Sequence, residues 1–211
     1  YLELSYLHPK YFKPCFNELK ELGLKENEKY TFCRFVSWNA NHDYGHSGIS
    51  SQNKINAVKE FSKFGKVFVS SENEIPNEIK KYKINLAPEK IHHLLSFATL
   101  VYGESATMAS ESAVLGTPAI YIDNDGRGYT DEQEKKYNIV FNYSEALDSQ
   151  ISSISKGCEI LNNSKKSYKK RRKEILGDKI NFTKFLVWFI ESYPKSKIAL
   201  KEKAISMENF M

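Results

Sequence analysis

From Thr31 onward, short apolar runs alternate with longer stretches whose apolar residues recur three and four positions apart. Thr31–Trp38 (TFCRFVSW) predicts a strand, because it is rich in β-branched and aromatic residues. A polar loop, NANHDYGHSGISS, follows it. Lys54–Phe64 places Ile55, Val58, Phe61 and Ser62 on one helical face, with Gly65 as its stop. Lys66–Ser70 (KVFVS) reads as a buried strand, and Pro88 stands at a first helical position ahead of Ile91, Leu94, Leu95 and Ala98. Thr99–Tyr102 then predicts a strand, Ala106–Leu115 a helix, and Ala119–Ile122 and Asn138–Phe141 two further strands. Tyr143-Ser-Glu-Ala opens another helix with Ser144 as its cap. Lys179–Glu191 lines up Phe182, Phe185, Leu186, Phe189 and Ile190 and ends near Pro194. Ahead of all this, Pro9 and Pro14 interrupt the chain, and Phe16–Leu22 forms a short helix closed by Gly23. Apolar strands alternating with helices predict a parallel sheet covered on both faces, an α/β Rossmann-like layer structure. It occupies residues 31–194, after a lead-in over residues 1–30 and before a polar, peripheral tail over residues 195–211.

Composition narrows the class. With 211 residues, 41% of them hydrophobic and 13% aromatic, the chain has ample material for a packed core, which excludes a disordered protein. No apolar run nears the roughly 20 residues that span a bilayer, and the opening Tyr-Leu-Glu-Leu is not a signal peptide. A start without Met reads as a fragment or a processed chain. Cys15, Cys33 and Cys158 are odd in number and far apart, so they read as reduced thiols in a cytoplasmic protein. Lys plus Arg exceeds Asp plus Glu by 31 to 26, yet seven of those cations lie in Lys165–Lys173. Without them the balance is 24 to 26, which is not the broad basic footprint of a nucleic-acid binder. The run reads as a solvated helical face, or as a segment that docks on an anionic membrane surface at the inner face of the membrane.

Chemistry concentrates in Pro88–Ile122, PEKIHHLLSFATLVYGESATMASESAVLGTPAIYI. Its turn, Gly103-Glu-Ser-Ala-Thr, falls at the carboxyl end of one strand and the amino end of the next helix. There an open parallel sheet binds ligands, and free N–H groups and the helix dipole attract phosphate. Ser105 and Thr107 add hydroxyl donors. Ala106, Ala109, Ser112 and Ala113 make the helix small-sided, and Glu111 is its one carboxylate, placed to accept both hydroxyls of a ribose.

These residues resemble the second domain of GT-B-fold proteins, the group that includes many glycosyltransferases and the UDP-N-acetylglucosamine 2-epimerases. The epimerase pattern runs Asp-Ser-Gly-Gly, three residues, Glu-Ala, then Leu-Gly-x-Pro. Glu104-Ser105-Ala106-Thr107, Glu111-Ser112 and Leu115-Gly116-Thr117-Pro118 match its spacing, with Ala106-Thr107 in place of the paired glycines and Glu104 in place of Asp. CRFVSWNANHDYGHSGIS, PEKIHHLL and GESATMASESAVLGTP together are similar to an uncharacterised prokaryotic family of GT-B proteins, over roughly residues 1–145. The resemblance implies that Ser105, with the helix start at Ala106 and Thr107, holds the pyrophosphate of a nucleotide sugar and Glu111 its ribose, with Gly103 and Glu104 as further members of the nucleotide-sugar site. Arg34 and His42, in the loop matching the nucleotide-facing loop of that domain, are further candidates, and His92 stands near the same edge. It also implies a missing N-terminal domain as partner, and no cofactor beyond the nucleotide-sugar donor itself.

Other readings weigh less. His42 and His46 are four apart, but Gly45 denies them a helical face for a metal. His93 reads as a plain helix histidine and Glu72 as an exposed loop acid. Ser105 lacks the G-x-S-x-G frame of a nucleophile elbow. The expected function is the donor-binding half of a UDP-sugar glycosyltransferase of polysaccharide or glycoconjugate biosynthesis. A UDP-sugar 2-epimerase-like enzyme and a non-catalytic nucleotide-binding module of the same fold are the alternatives. A receiver-like domain is disfavoured, because no acidic cluster follows the first strand.

Overall fold

The computed structural model describes residues 2–38, 45–163 and 166–211. Five strands, β1 (Tyr30–Phe35), β2 (Lys66–Ser71), β3 (Leu100–Gly103), β4 (Ala119–Ile122) and β5 (Val140–Tyr143), form one parallel sheet in the order β2-β1-β3-β4-β5. The first helices are α1 (Ser51–Ser62), α2 (Ile91–Phe97), α3 (Ala106–Leu115), α4 (Gly128–Lys135) and α5 (Leu147–Asn162). Helices α1 and α5 pack together on one face, and α2, α3 and α4 pack side by side on the other. Three more, α6 (Lys166–Asp178), α7 (Phe182–Glu191) and α8 (Lys195–Lys201), complete the chain. The Rossmann-like α/β architecture is therefore present. Connection direction reverses between β1 and β3, so the crevice of an open sheet falls at their carboxyl ends.

The strand runs are continuous in apolar residues because helices cover both faces: Phe32, Leu100 and Ala119 are fully buried. Helix α3 carries the same logic further. Every residue from Ala109 to Leu115 is buried, with the sheet on one side and α2, α4, α6 and the 3-10 turn Leu2–Leu7 around the rest. Its small residues let those neighbours close in. At its end Gly116 takes φ +90, where Arg172 of α6 lies against it and donates from Nε to the Val114 carbonyl at 3.1 Å.

Several boundaries differ from expectation for local reasons. Helix α1 begins at Ser51, with the Ser50 hydroxyl accepting from Asn53 N, and Gly65 lies beyond its end. A glycine is needed at 65 because a Cβ would overlap the Lys29 carbonyl. Ser144 is not a helix cap: α5 starts at Leu147 behind Ala146, and Ser144 N donates to Ser149 Oγ. Helix α4 escapes a hydrophobic reading because its buried residues are Thr130 and Gln133, and Gln133 Nε2 donates to Ser110 Oγ at 2.7 Å. Helix α7 starts at Phe182, capped by Asn181, and none of its side chains is fully buried. The tail is more than a polar appendage. It forms α8 and a 3-10 turn, Met207–Phe210, that lays Phe210 edge-on against Phe185, ring centres 5.3 Å apart.

Candidate functional site

Gly103 ends β3 with φ +153, and a Cβ there would overlap the Arg34 carbonyl of β1. Only glycine lets the two strands stay paired up to the reversal point. Glu104 follows, its side chain wholly enclosed. Its carboxylate accepts from Val36 N at 2.9 Å and from Ile49 N at 2.5 Å, with Lys54 Nζ 3.4 Å away. Glu104 thus clamps the two ends of the loop after β1 to the start of α3. Ser105 caps α3, accepting from Met108 N at 3.3 Å, and Ala106 and Thr107 form its first turn, with Thr107 exposed. Ser105, Ala106 and Thr107 therefore present a helix N-terminus at the crevice.

Glu111 sits six residues beyond Ser105, about 9 Å along the helix. It faces the seam between α3, α2 and the N-terminal 3-10 turn. Its Oε1 accepts from Tyr6 Oη at 2.6 Å and lies 3.2 Å from His92 Nε2. That nitrogen is enclosed and makes no hydrogen bond. Tyr6 and Phe12 meet the His92 ring edge-on. His92 and Glu111 are thus brought together, while His93 instead accepts from Cys15 N at 3.0 Å and ties the lead-in to α2. Tyr6 carried no signal in the sequence, since its partner is 105 positions away.

Arg34 is engaged on the other side of the crevice. It donates to Ser70 Oγ at 2.9 Å and forms an ion pair with Glu72, whose other oxygen accepts from Ser37 N. Glu72 is therefore the partner of Arg34. Beside this pair, a cleft of about 440 Å³ opens between Ser70–Ser71 and the segment Lys83–Leu86, floored by Phe32 and Ile91.

A second polar cluster stands at the ends of β4 and β5. His46 Nδ1 lies 2.5 Å from Glu145 Oε1 and 3.4 Å from Asp123 Oδ1, and Nε2 lies 3.3 Å from Asp125. The Trp38 ring stacks on the imidazole at 4.9 Å. Ser47 N and Gly48 N donate to Glu145, and the Tyr121 hydroxyl donates to Asp123. The donor atoms of His46, Asp123 and Glu145 lie within 4.8 Å of one another, close enough to share a cation. Existing partners already fill these groups, and the cluster fastens the loop to the sheet edge. The sequence reading paired His46 with His42, which lies outside the described residues. Asp123 and Glu145 follow β4 and β5, where sheet position was the available signal.

No protein-family model matches the chain, and no curated protein matches it in sequence. Solved structures do. A Listeria monocytogenes protein assigned as a UDP-N-acetylglucosamine 2-epimerase matches with a TM-score of 0.51 at 14% identity, over 81% of this chain and 46% of its own. A structure described as the glycotransferase of kitacinnamycin matches with a TM-score of 0.46 at 12% identity, over 72% of this chain and 40% of its own. The chain thus spans less than half the length of either structure. At these identities the likeness is one of fold, and that fold is a Rossmann-like α/β layer structure.

Proposed function

We propose that this chain is the donor-binding half of a nucleotide-sugar enzyme, a glycosyltransferase using a UDP-sugar to build a polysaccharide or other glycoconjugate. A preceding Rossmann-like domain would supply the acceptor site. The observation that carries the reading is Glu111, a nearly buried carboxylate about 9 Å along α3 from a serine-capped N-terminus at the reversal point of the sheet. Diphosphate at Ser105–Thr107 would meet free N–H groups and the positive end of the helix dipole. Two ribose hydroxyls would then donate to Glu111. The cleft beside Ser70 and Lys83–Leu86 has room for a base.

Binding without turnover is the second reading, and a specific feature favours it. Ala106-Thr107 stands where close approach to a diphosphate asks for glycine. An epimerase would need an acid/base pair, and His46 is already committed to its own carboxylates.

Titration calorimetry with UDP, ADP, GDP and phosphate tests the proposal. Glu111→Gln should weaken UDP binding by roughly 10- to 150-fold while the protein stays folded, the range expected for a charge-assisted hydrogen bond. If no nucleotide binds at millimolar concentration, the reading fails. Unchanged affinity with a much lower melting temperature would make Glu111 a purely structural partner of Tyr6 and His92.

A further inference from the structure

One oxygen of the Glu111 carboxylate, Oε1, already accepts a hydroxyl, and that hydroxyl comes from the chain itself. Tyr6 belongs to a 3-10 turn whose Leu4 and Leu7 are in the core, whereas Tyr6 is 45% exposed. The backbone of the turn is anchored, and the Tyr6 ring is half-exposed with its hydroxyl turned inward. Its inward attachments are the 2.6 Å bond from its hydroxyl to Glu111 and the edge contact with the His92 ring at 5.4 Å. Burial and the neighbouring carboxylate push the phenol's pKa well up, so it remains an O–H donor through neutral and alkaline pH. Beneath it, His92 Nε2 is enclosed, 3.2 Å from Glu111 and without a hydrogen bond. A carboxylate with one phenol on it and an unsatisfied imidazole nitrogen alongside has more hydrogen-bonding capacity than Tyr6 uses.

We propose that Tyr6 is a built-in competitor for a vicinal diol at Glu111, so that the N-terminal turn gates nucleotide binding through one hydroxyl. This rests on the nucleotide reading above. A ribose presents two adjacent hydroxyls where the phenol presents one, and rotation of the Tyr6 side chain clears the carboxylate without moving Leu4 or Leu7. The gate imposes a fixed handicap on any ligand that needs Glu111, and none on a ligand that needs only the helix N-terminus.

The test uses the 211-residue chain, wild type and Tyr6→Phe, titrated with UDP, 2′-deoxy-UDP and inorganic phosphate, with thermal melts to check folding. Tyr6→Phe keeps the ring against His92 and deletes only the competing hydroxyl. UDP affinity should rise by about 10-fold, the lower end of the effect of a hydrogen bond to a charged group. The gain should be smaller for 2′-deoxy-UDP and absent for phosphate. If wild type binds UDP and folded Tyr6→Phe binds it equally or more weakly, the gate is wrong and the nucleotide reading stands. An equal gain for all three ligands would also overturn it, because the hydroxyl would then not be competing with a diol. If neither protein binds any nucleotide, the gate and the nucleotide reading fall together.

Discussion

His46 is surrounded by Glu145, Asp123 and Asp125, with Arg127 3.7 Å from Asp123 on the far side. The hydrogen bond to Glu145 holds the imidazole above its ordinary value near 6.5, helped by Asp125 and Asp123 and opposed by burial. Burial alone would raise Glu145, but the N–H groups of Ser47 and Gly48 and the imidazole outweigh it, and its carboxyl lies below the usual range. A raised histidine contributes stability in full below about pH 6.5, and loses it as pH climbs through the folded-state value. The lowered glutamate behaves in reverse, contributing above its ordinary value near 4.3 and losing that as pH falls through its folded-state value. Between those limits the pair is intact. Melting temperature followed from pH 6 to 9 should therefore decline more in the wild type than in His46→Gln, and parallel curves would remove His46 from the balance. Residues of this kind were only half legible in the sequence. Ser105 and Glu111 could be named as candidates because spacing along one helix carried them. Tyr6, Glu145 and the Arg34–Glu72 pair depend on which distant segments meet.

Strands and helices with an apolar rhythm were readable to within a few residues, as Ala106–Leu115 and Ala119–Ile122 illustrate. Helix α4 was not, because polar residues bonded to α3 replace an apolar stripe. The α1–α5 contact offers a test at this scale. A Cβ at Gly157 would lie 2.5 Å from Phe61 Cε1 and 2.7 Å from its Cζ, and that ring already meets Tyr102 edge-on. Alanine is worth roughly 0.5–1 kcal/mol over glycine within a helix. Overpacking a filled interface costs about 1–3 kcal/mol. Packing should win, so Gly157→Ala is expected to lower the stability measured by urea unfolding by up to about 2.5 kcal/mol. A gain in stability would mean that the Phe61 ring yields without cost.

For the whole molecule, the basic run divides. Lys165 lies outside the described residues. Arg172 is spent on the end of α3, and Arg171 donates to the Asn138 carbonyl, while Lys169, Lys170 and Lys173 are exposed. At no more than about 1 kcal/mol for each lysine, only weak attachment to anionic lipid is expected. Co-sedimentation with anionic vesicles should be slight, salt-sensitive, absent with neutral vesicles and lost when the three lysines become Gln; equal pelleting of both proteins would leave a solvated face. No helix of the described residues is long and apolar enough to cross a membrane. The two ends of the chain, meanwhile, hold each other. The turn that carries Tyr6 packs on α7, Tyr11 Oη lies 3.4 Å from Asn181 Oδ1, and Asn181 N donates to the Phe210 carbonyl. Along α7 and into α8, Leu186, Val187, Ile190 and Ile198 face solvent. If the Tyr6 gate operates, thermodynamic linkage requires that any coupling between this surface and Glu111 run in both directions. Only a cover on α7 that also touches the Tyr6 ring, and so resists its rotation, would favour the state with the phenol in place and lower affinity for a diol by some factor. The diol must loosen that cover by the same factor.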